Sequence, residues 1–190
     1  HMLHHTSPNG VVGLVLSNGS LNTTSGGEHI IRKNIIKSDL VEAIVSLPSQ
    51  LFANTQIPAC IWILNRNKIQ KGKTLFIHAK EVGHMISGKQ KTFSAKDVKF
   101  LARTFHNWRD EDNYKNVTGF CYSATQLEIS NNNYELSPGQ YVGFKSKNLD
   151  KVSLSEKISS LSKTLNNQFK ESKLLEKEIA EVLKKLNHGN

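Results

Sequence analysis

Leu47-Pro48-Ser49-Gln50-Leu51-Phe52-Ala53-Asn54-Thr55-Gln56-Ile57-Pro58 is a polar loop carrying one aromatic, and Ala59-Cys60-Ile61-Trp62-Ile63-Leu64-Asn65 behind it is apolar almost without a break. An apolar run this short, bounded by Pro58 and Asn65, reads as a buried strand. Val41 to Leu47, just upstream, is a second such run. The link from Leu47 to Ala59 is too short to hold a crossover helix, so the Ala59 strand is predicted to run antiparallel to its predecessor.

Working outward, Val11 to Leu16 is also apolar and ends in the turn signal Ser17-Asn18-Gly19, which reads as a buried strand. Ser25-Gly26-Gly27-Glu28 has capping-box spacing. Ile30, Ile31, Ile35 and Ile36 follow at helical period, with Arg32, Lys33 and Lys37 between them. Strand, helix, strand predicts an α/β sheet with right-handed crossovers, and Thr74 to His78 adds a fourth strand. Gly83 to Lys91 is polar with two glycines and reads as a mobile loop. Ser94-Ala95-Lys96-Asp97 marks a helix start, and Val98, Leu101, Ala102, Phe105 and Trp108 form its apolar face. Val117 to Tyr122 reads as a strand, Asn131 to Asn133 as a turn, and Leu136 to Gly143 closes the globular part.

Three segments in this order, Val11-Val12-Gly13-Leu14-Val15-Leu16-Ser17-Asn18-Gly19, Leu47 to Asn65, and Leu136-Ser137-Pro138-Gly139-Gln140-Tyr141-Val142-Gly143, resemble one family. It is the modification subunit of type I restriction-modification systems, a DNA adenine-N6 methyltransferase, and the resemblance runs from about His4 to the C-terminus. It implies an α/β fold: the C-terminal half of a Rossmann-like methyltransferase sheet, with parallel strands and one antiparallel strand, plus a long C-terminal coiled-coil-like helix. Residues 1–150 are expected to form the methyltransferase portion and 151–190 a helical tail for subunit docking.

The intact family transfers a methyl group from S-adenosylmethionine to adenine N6, using a Gly-rich turn and an Asn/Asp-Pro-Pro-Tyr/Phe motif. This chain has no Gly-x-Gly triplet, and Pro8, Pro48, Pro58 and Pro138 are all isolated. The resemblance therefore implies the C-terminal part of an enzyme, with no catalytic residue in this chain, inactive alone and binding no S-adenosylmethionine by itself. It implies as partners a specificity subunit, a second modification subunit, a restriction (motor) subunit and double-stranded DNA. The alternative is a stand-alone DNA-binding or assembly module from a split gene; an upstream reading frame encoding the two motifs would separate the readings.

An enzyme acting on an adenine holds the extruded base against flat or apolar side chains. By the resemblance Phe52 occupies the place of the stacking aromatic; a core anchor for the loop is the competing reading. Asn54 and Thr55 could contact a base edge or phosphate, or simply make the turn. Asn18 and Gly19 follow the first strand, at the sheet edge where open α/β folds bind ligands. A turn in which Gly19 supplies positive φ is the other reading.

The formal charge of +9 points to an anionic partner. Arg66, Lys68, Lys71 and Lys73 open a lysine-rich region running to Lys99, expected either to contact the DNA backbone or to be a solvated face. The histidines show no metal-ligand spacing, and no Gly-x-Ser-x-Gly elbow is present. No apolar stretch approaches the roughly 18 residues needed to span a membrane. Cys60 and Cys121 are too few for a disulfide scaffold, which suits a cytoplasmic protein.

In the tail, Leu154, Ile158, Leu161, Leu165, Gln168, Ser172, Leu175, Ile179, Val182 and Leu186 alternate by four and three residues, a heptad seam with a polar centre. So narrow a stripe cannot bury itself alone and needs a second helix, from its own domain or from a partner; a partner is expected, because the globular part offers no helix of similar length.

Overall fold

A computed structural model of the chain describes residues 1–53, 55–143 and 154–187. In chain order the elements are α1 (Met2–His5), β1 (Val11–Ser17), α2 (Glu28–Lys37), β2 (Val41–Ser46), β3 (Ala59–Asn65), β4 (Lys73–His78), β5 (His84–Ser87), β6 (Gln90–Thr92), α3 (Ala95–Arg109), β7 (Cys121–Thr125), α4 (Gln126–Asn131), α5 (Pro138–Tyr141) and α6 (Leu154–Asn187). The chain divides into His1–Lys145 and Ser146–Asn190.

In the first unit five strands form a mixed sheet in the order β1-β3-β2-β4-β7. β3 is antiparallel to both neighbours, β2 and β4 are parallel, and β7 is antiparallel to β4. The short β2–β3 link forces that reversal of β3, and Leu47 N donates to Ala59 O at 2.8 Å where the link closes. The sheet thus has two strands, β3 and β7, running against the other three, where the sequence suggested one. Every residue of β2 is buried, because both faces of a central strand are covered.

Side chains alternate between two core layers. Ile44, Trp62, Leu64 and Phe76 face one side with Ile36, Ile129 and Leu136; Ala43, Val45, Leu75 and Ile77 face the other with Trp108 of α3.

Four local expectations are corrected. β1 is an edge strand: Val12 is buried, but Val11, Val15 and Leu16 are exposed. An unbroken apolar run cannot by itself tell a central strand from an edge. Ser25 does not cap α2; the N-cap is Gly27 at φ 77°, after a short 3-10 turn, with no side-chain cap bond. Gly83 to Lys91 folds into the β5–β6 hairpin. The last strand begins at Cys121, because Val117 to Phe120 is a tight turn in which Phe120 N donates to Val117 O at 2.9 Å. The helix start expected at Ser94 is found, and it is made by a capping box in which Asp97 N donates to Ser94 Oγ and Ser94 N to Asp97 Oδ2.

At the edge where β2 and β4 begin, Lys68 is 2% exposed. Its Nζ lies 2.6 Å from Asp39 Oδ1 and donates to Val41 O at 3.0 Å and Lys73 O at 2.6 Å. Asp39 Oδ2 in turn accepts from Gly72 N. Burial pulls the Lys68 ammonium below its ordinary value while Asp39 opposes the shift. The expectation that Lys68 contacts DNA is therefore corrected: all its visible partners lie inside the fold.

In the second unit α6 is one helix of 34 residues. Ile158, Leu161, Leu165, Leu175 and Ile179 are exposed along it. The side chains of Leu154, Val182 and Leu186, which the seam also invokes, lie outside the described residues.

Removing the Lys68 charge takes the buried cationic partner from Asp39 and one donor each from Val41 O and Lys73 O. Lys68→Met is expected to destabilise the protein by about 3 kcal/mol, read as a lower urea midpoint at unchanged slope. Lys71→Met, at an exposed position, is expected to stay within about 0.5 kcal/mol of the parent.

Candidate functional site

The strand register sorts the candidate residues by sheet edge. Ser17 pairs with Ala59, Ser46 with His78 across the parallel β2–β4 pair, and Ile77 with Cys121. The C-terminal ends of β1, β2 and β4 therefore share one edge, the place where ligands bind in open α/β sheets. Val11, Val41 and Lys73 mark the opposite edge, and Arg66 and Lys71 sit in the loop there. Six- and seven-residue strands put the two edges about 20 Å apart. Arg66, Lys71 and Lys73 are exposed, but they lie at the far edge from Phe52, Asn18 and His78.

A cavity of about 890 Å³ opens at the C-terminal edge, with Asn18, Ser46, His78, Lys80, the Asn131–Asn133 turn and Ser137–Gln140 on its walls. Its geometry has three supports. After β1 the chain turns in a short 3-10 helix, Asn18–Leu21, where Ser20 Oγ donates to Ser17 O and accepts from Trp62 Nε1. Arg32, 3% exposed, donates from Nε to Tyr134 O and from Nη1 to Ser20 O and Thr23 O, clipping α2 to both walls. On the third side Pro138 starts α5, and Tyr141 stacks on Phe76 with ring centroids 4.0 Å apart.

α5 comes close enough to the sheet that a Cβ on Gly139 would lie 3.3 Å from His78 Cε1. The close approach explains why glycine stands there.

Two buried polar atoms in this cleft, Asn18 Oδ1 and His78 Nδ1, have no hydrogen-bond partner among the described residues. Buried polar atoms are normally paired, so two orphans on one cavity leave hydrogen-bonding capacity there for water or a polar ligand. Burial lowers the His78 pKa below its ordinary value, Lys80 lowers it further and Glu81 opposes. The imidazole is therefore neutral at pH 7, able to donate from one nitrogen and accept at the other. The carboxylate on the cavity wall, Glu135, accepts from Gln140 Nε2. The cleft carries both a cation, Lys80, and a carboxylate, Glu135, beside these neutral groups.

Of the candidates read from the sequence, Asn18 lines the cleft, but Gly19 does not. Gly19 needs no special conformation either, because it lacks positive φ and a Cβ there would meet Ser17 Oγ at an ordinary 3.7 Å. Phe52 is 42% exposed, while Leu51 beside it packs on the core. The loop anchor is thus Leu51, and the aromatic face of Phe52 is open. Thr55 Oγ1 accepts from Ile57 N at 3.1 Å, so it shapes the turn. Asn54 lies outside the described residues. His78, Arg32 and Gly139 were not singled out from the sequence; the approach of α5 to the end of β4 joins residues 61 positions apart and leaves no local signal. Among the described residues no three His, Cys, Asp or Glu side chains gather into a metal site, and no helix is long and apolar enough to cross a membrane.

Residues 1–150 match the model of the N-6 DNA Methylase family. The chain belongs to that family. It is 48% identical over 183 residues to the type I restriction enzyme HindI methylase subunit of Haemophilus influenzae, covering 96% of this chain and 41% of that protein. The MjaIX methylase subunit of Methanocaldococcus jannaschii is 37% identical, with 96% and 33% covered. Among solved structures, the type I restriction-modification methyltransferase subunit from Streptococcus thermophilus superposes with a TM-score of 0.65 at 25% identity, over 73% of this chain and 28% of that one. The N-6 DNA methylase chain described here thus spans well under half the length of these relatives.

Because the fold favours neutral His78, the stability this group contributes is present above the ordinary histidine value of 6.5 and is lost as the pH falls below it. A ring-proton NMR titration is expected to place the His78 midpoint below 6.5, with Lys80→Gln moving the midpoint upward.

Proposed function

We propose that this chain is the C-terminal part of a type I modification subunit, whose intact form methylates adenine N6 in specific DNA. The observation that carries the reading is the exposed ring of Phe52. It stands on a loop anchored by Leu51, at the C-terminal edge of the parallel strands and just before the antiparallel β3. In that place an aromatic can stack on an extruded adenine. The amide-rich cleft of Asn18 and His78 belongs to the same sheet edge and offers hydrogen bonds to a nucleotide near the reacting base.

S-adenosylmethionine supplies the methyl group in the parent reaction. β1 supports the reading of a larger parent sheet. It carries exposed Val11, Val15 and Leu16, and among the described residues it pairs only with β3. That is the edge against which a further strand and its covering layer would sit, completing the Rossmann-like sheet.

Phosphate contacts nearest the Phe52 loop come from the C-terminal edge, where Lys80 is exposed, rather than from Arg66, Lys71 and Lys73 at the far edge. Those three are free to meet DNA or a partner subunit elsewhere along the assembly. The partners of the parent are the specificity subunit, a second modification subunit and the restriction subunit. The exposed apolar stripe of α6 is the docking element for the specificity subunit. The compartment is the cytoplasm, where the DNA substrate is.

In the full-length subunit, Phe52→Ala is expected to lower methylation by the equivalent of about 1–3 kcal/mol, the worth of one base-stacking contact. Cofactor affinity should be nearly unchanged, and Phe52→Trp should retain more activity than Phe52→Ala. Loss of folding in Phe52→Ala without a separable activity effect would make Phe52 a structural residue and remove the pocket from the reading.

Leu161→Asp with Ile179→Asp places charge on the stripe of α6, which is costly to bury against a partner. The first unit is expected to stay folded while co-purification with the specificity subunit is lost. Normal assembly of the double variant would show that α6 docks elsewhere.

A further inference from the structure

The β5–β6 hairpin has no role in the reading above, and its surface is unusual. Met85 and Ile86 are 46% and 57% exposed on β5, and neither belongs to a core cluster. A two-stranded ribbon gains little stability from apolar side chains left in water. Ile86 sits at a bulge between Met85, paired with Lys91, and Ser87, paired with Gln90. Bulges re-aim side chains, and this one interrupts the alternation that would turn Ile86 away from its neighbour.

The charge around the hairpin is mainly positive. Lys80 precedes it, Lys89 is exposed near its tip, and Lys96 and Lys99 follow on the exposed face of α3. Asp97 is consumed by the α3 capping box, which leaves Glu81 as the nearby acid.

The hairpin is also held in a fixed relation to the Phe52 loop. Lys91 N donates to Gln50 O at 2.9 Å, and Lys91 Nζ donates to Lys80 O at 3.1 Å. At its base Gly83 has φ 91°, and a Cβ there would come within 2.6 Å of Thr92 O. The ribbon is thus anchored two residues from the exposed aromatic.

Exposed Met and Ile on a basic ribbon have the chemistry of an apolar wedge. Proteins that kink or open a duplex push such side chains between base steps while lysines meet the phosphates. From these observations we infer that the β5–β6 hairpin inserts Met85 and Ile86 into a groove of duplex DNA, beside the nucleotide taken out by the Phe52 loop, with Lys89 on the phosphate backbone. The wedge holds the base step open and so favours the extruded state. This rests on the DNA-methyltransferase reading; the hairpin adds the element that distorts the duplex.

The test uses the 190-residue chain and a short duplex containing 2-aminopurine, whose fluorescence rises when it unstacks. The wild-type chain is expected to bind with a steep salt dependence and to raise the fluorescence. Met85→Ser with Ile86→Ser should abolish the fluorescence rise and weaken binding roughly tenfold, the scale of one lost base-edge contact, with the salt slope unchanged. Lys89→Gln should do the reverse, lowering the log–log salt slope by about 0.9 while the fluorescence rise at saturation survives. All three substitutions are at exposed positions, and equal thermal midpoints establish that each variant is folded. Wild-type binding and fluorescence in the Met85/Ile86 variant would overturn the wedge and leave the methyltransferase reading standing. A wild-type chain that binds no duplex at low salt would overturn the wedge as well, and would count against the DNA-facing edge itself.

Discussion

The backbone pairing of β3 with β1 on one side and β2 on the other is the constraint on which the rest of this molecule depends. The loop from Leu47 to Pro58 cannot span a crossover, so β3 must return antiparallel, and it does so in the gap between two strands that point the same way. That insertion sets where every candidate residue stands. It brings Ser17, Ser46 and His78 to one edge and sends Asn65, Val41 and Lys73 to the other. It also leaves the Phe52 loop standing over the C-terminal edge, since the chain must turn there before β3 begins.

The two edges are chemically different. At one, Lys68 and Asp39 are buried together and serve the fold: the ion pair joins the starts of β2 and β4, and Gln126 Nε2 ties the start of α4 to Ile36 O and Asp39 Oδ1. Most polar groups there are matched to one another, although Glu42 Oε1 is buried without a partner among the described residues. At the other edge Asn18 Oδ1 and His78 Nδ1 are unmatched, Phe52 is open to solvent, and Met85 and Ile86 project on a ribbon. A protein concentrates such unsatisfied features where a ligand completes them. The contrast supports placing the proposed base and nucleotide contacts at this edge.

Much of the organisation was legible in the chain. Periodicity located α2 and α3, Ser94 to Asp97 marked the α3 start, and the short β2–β3 link required a reversal. The resemblance supplied what physics alone could not, the enzyme class, and the family match and the 48% identity to a type I methylase subunit agree with it. Errors arose where a local pattern has two tertiary solutions. Val11 to Leu16 has the composition of a central strand yet lies at an edge. The glycines between Gly83 and Lys91 suggested a loop, but Gly83 is there because the hairpin closes against Thr92 O.

By itself the sequence determined β1 to β4, α2 and α3, the reversal of β3 and the family, because these follow from spacing, turn chemistry and motif order along a single stretch of chain. Only the tertiary structure decided which lysine is buried and which exposed. Lys68 and Lys71 are three residues apart with the same side chain, and they differ only because Asp39 and the Val41 carbonyl lie beside one of them. It also decided that His78 faces Gly139, that Arg32 clips three segments together, and that Leu51 rather than Phe52 anchors the loop. Each of these is a contact between residues far apart in the chain, or a choice between neighbours made by what packs against them, and residue spacing carries no record of either.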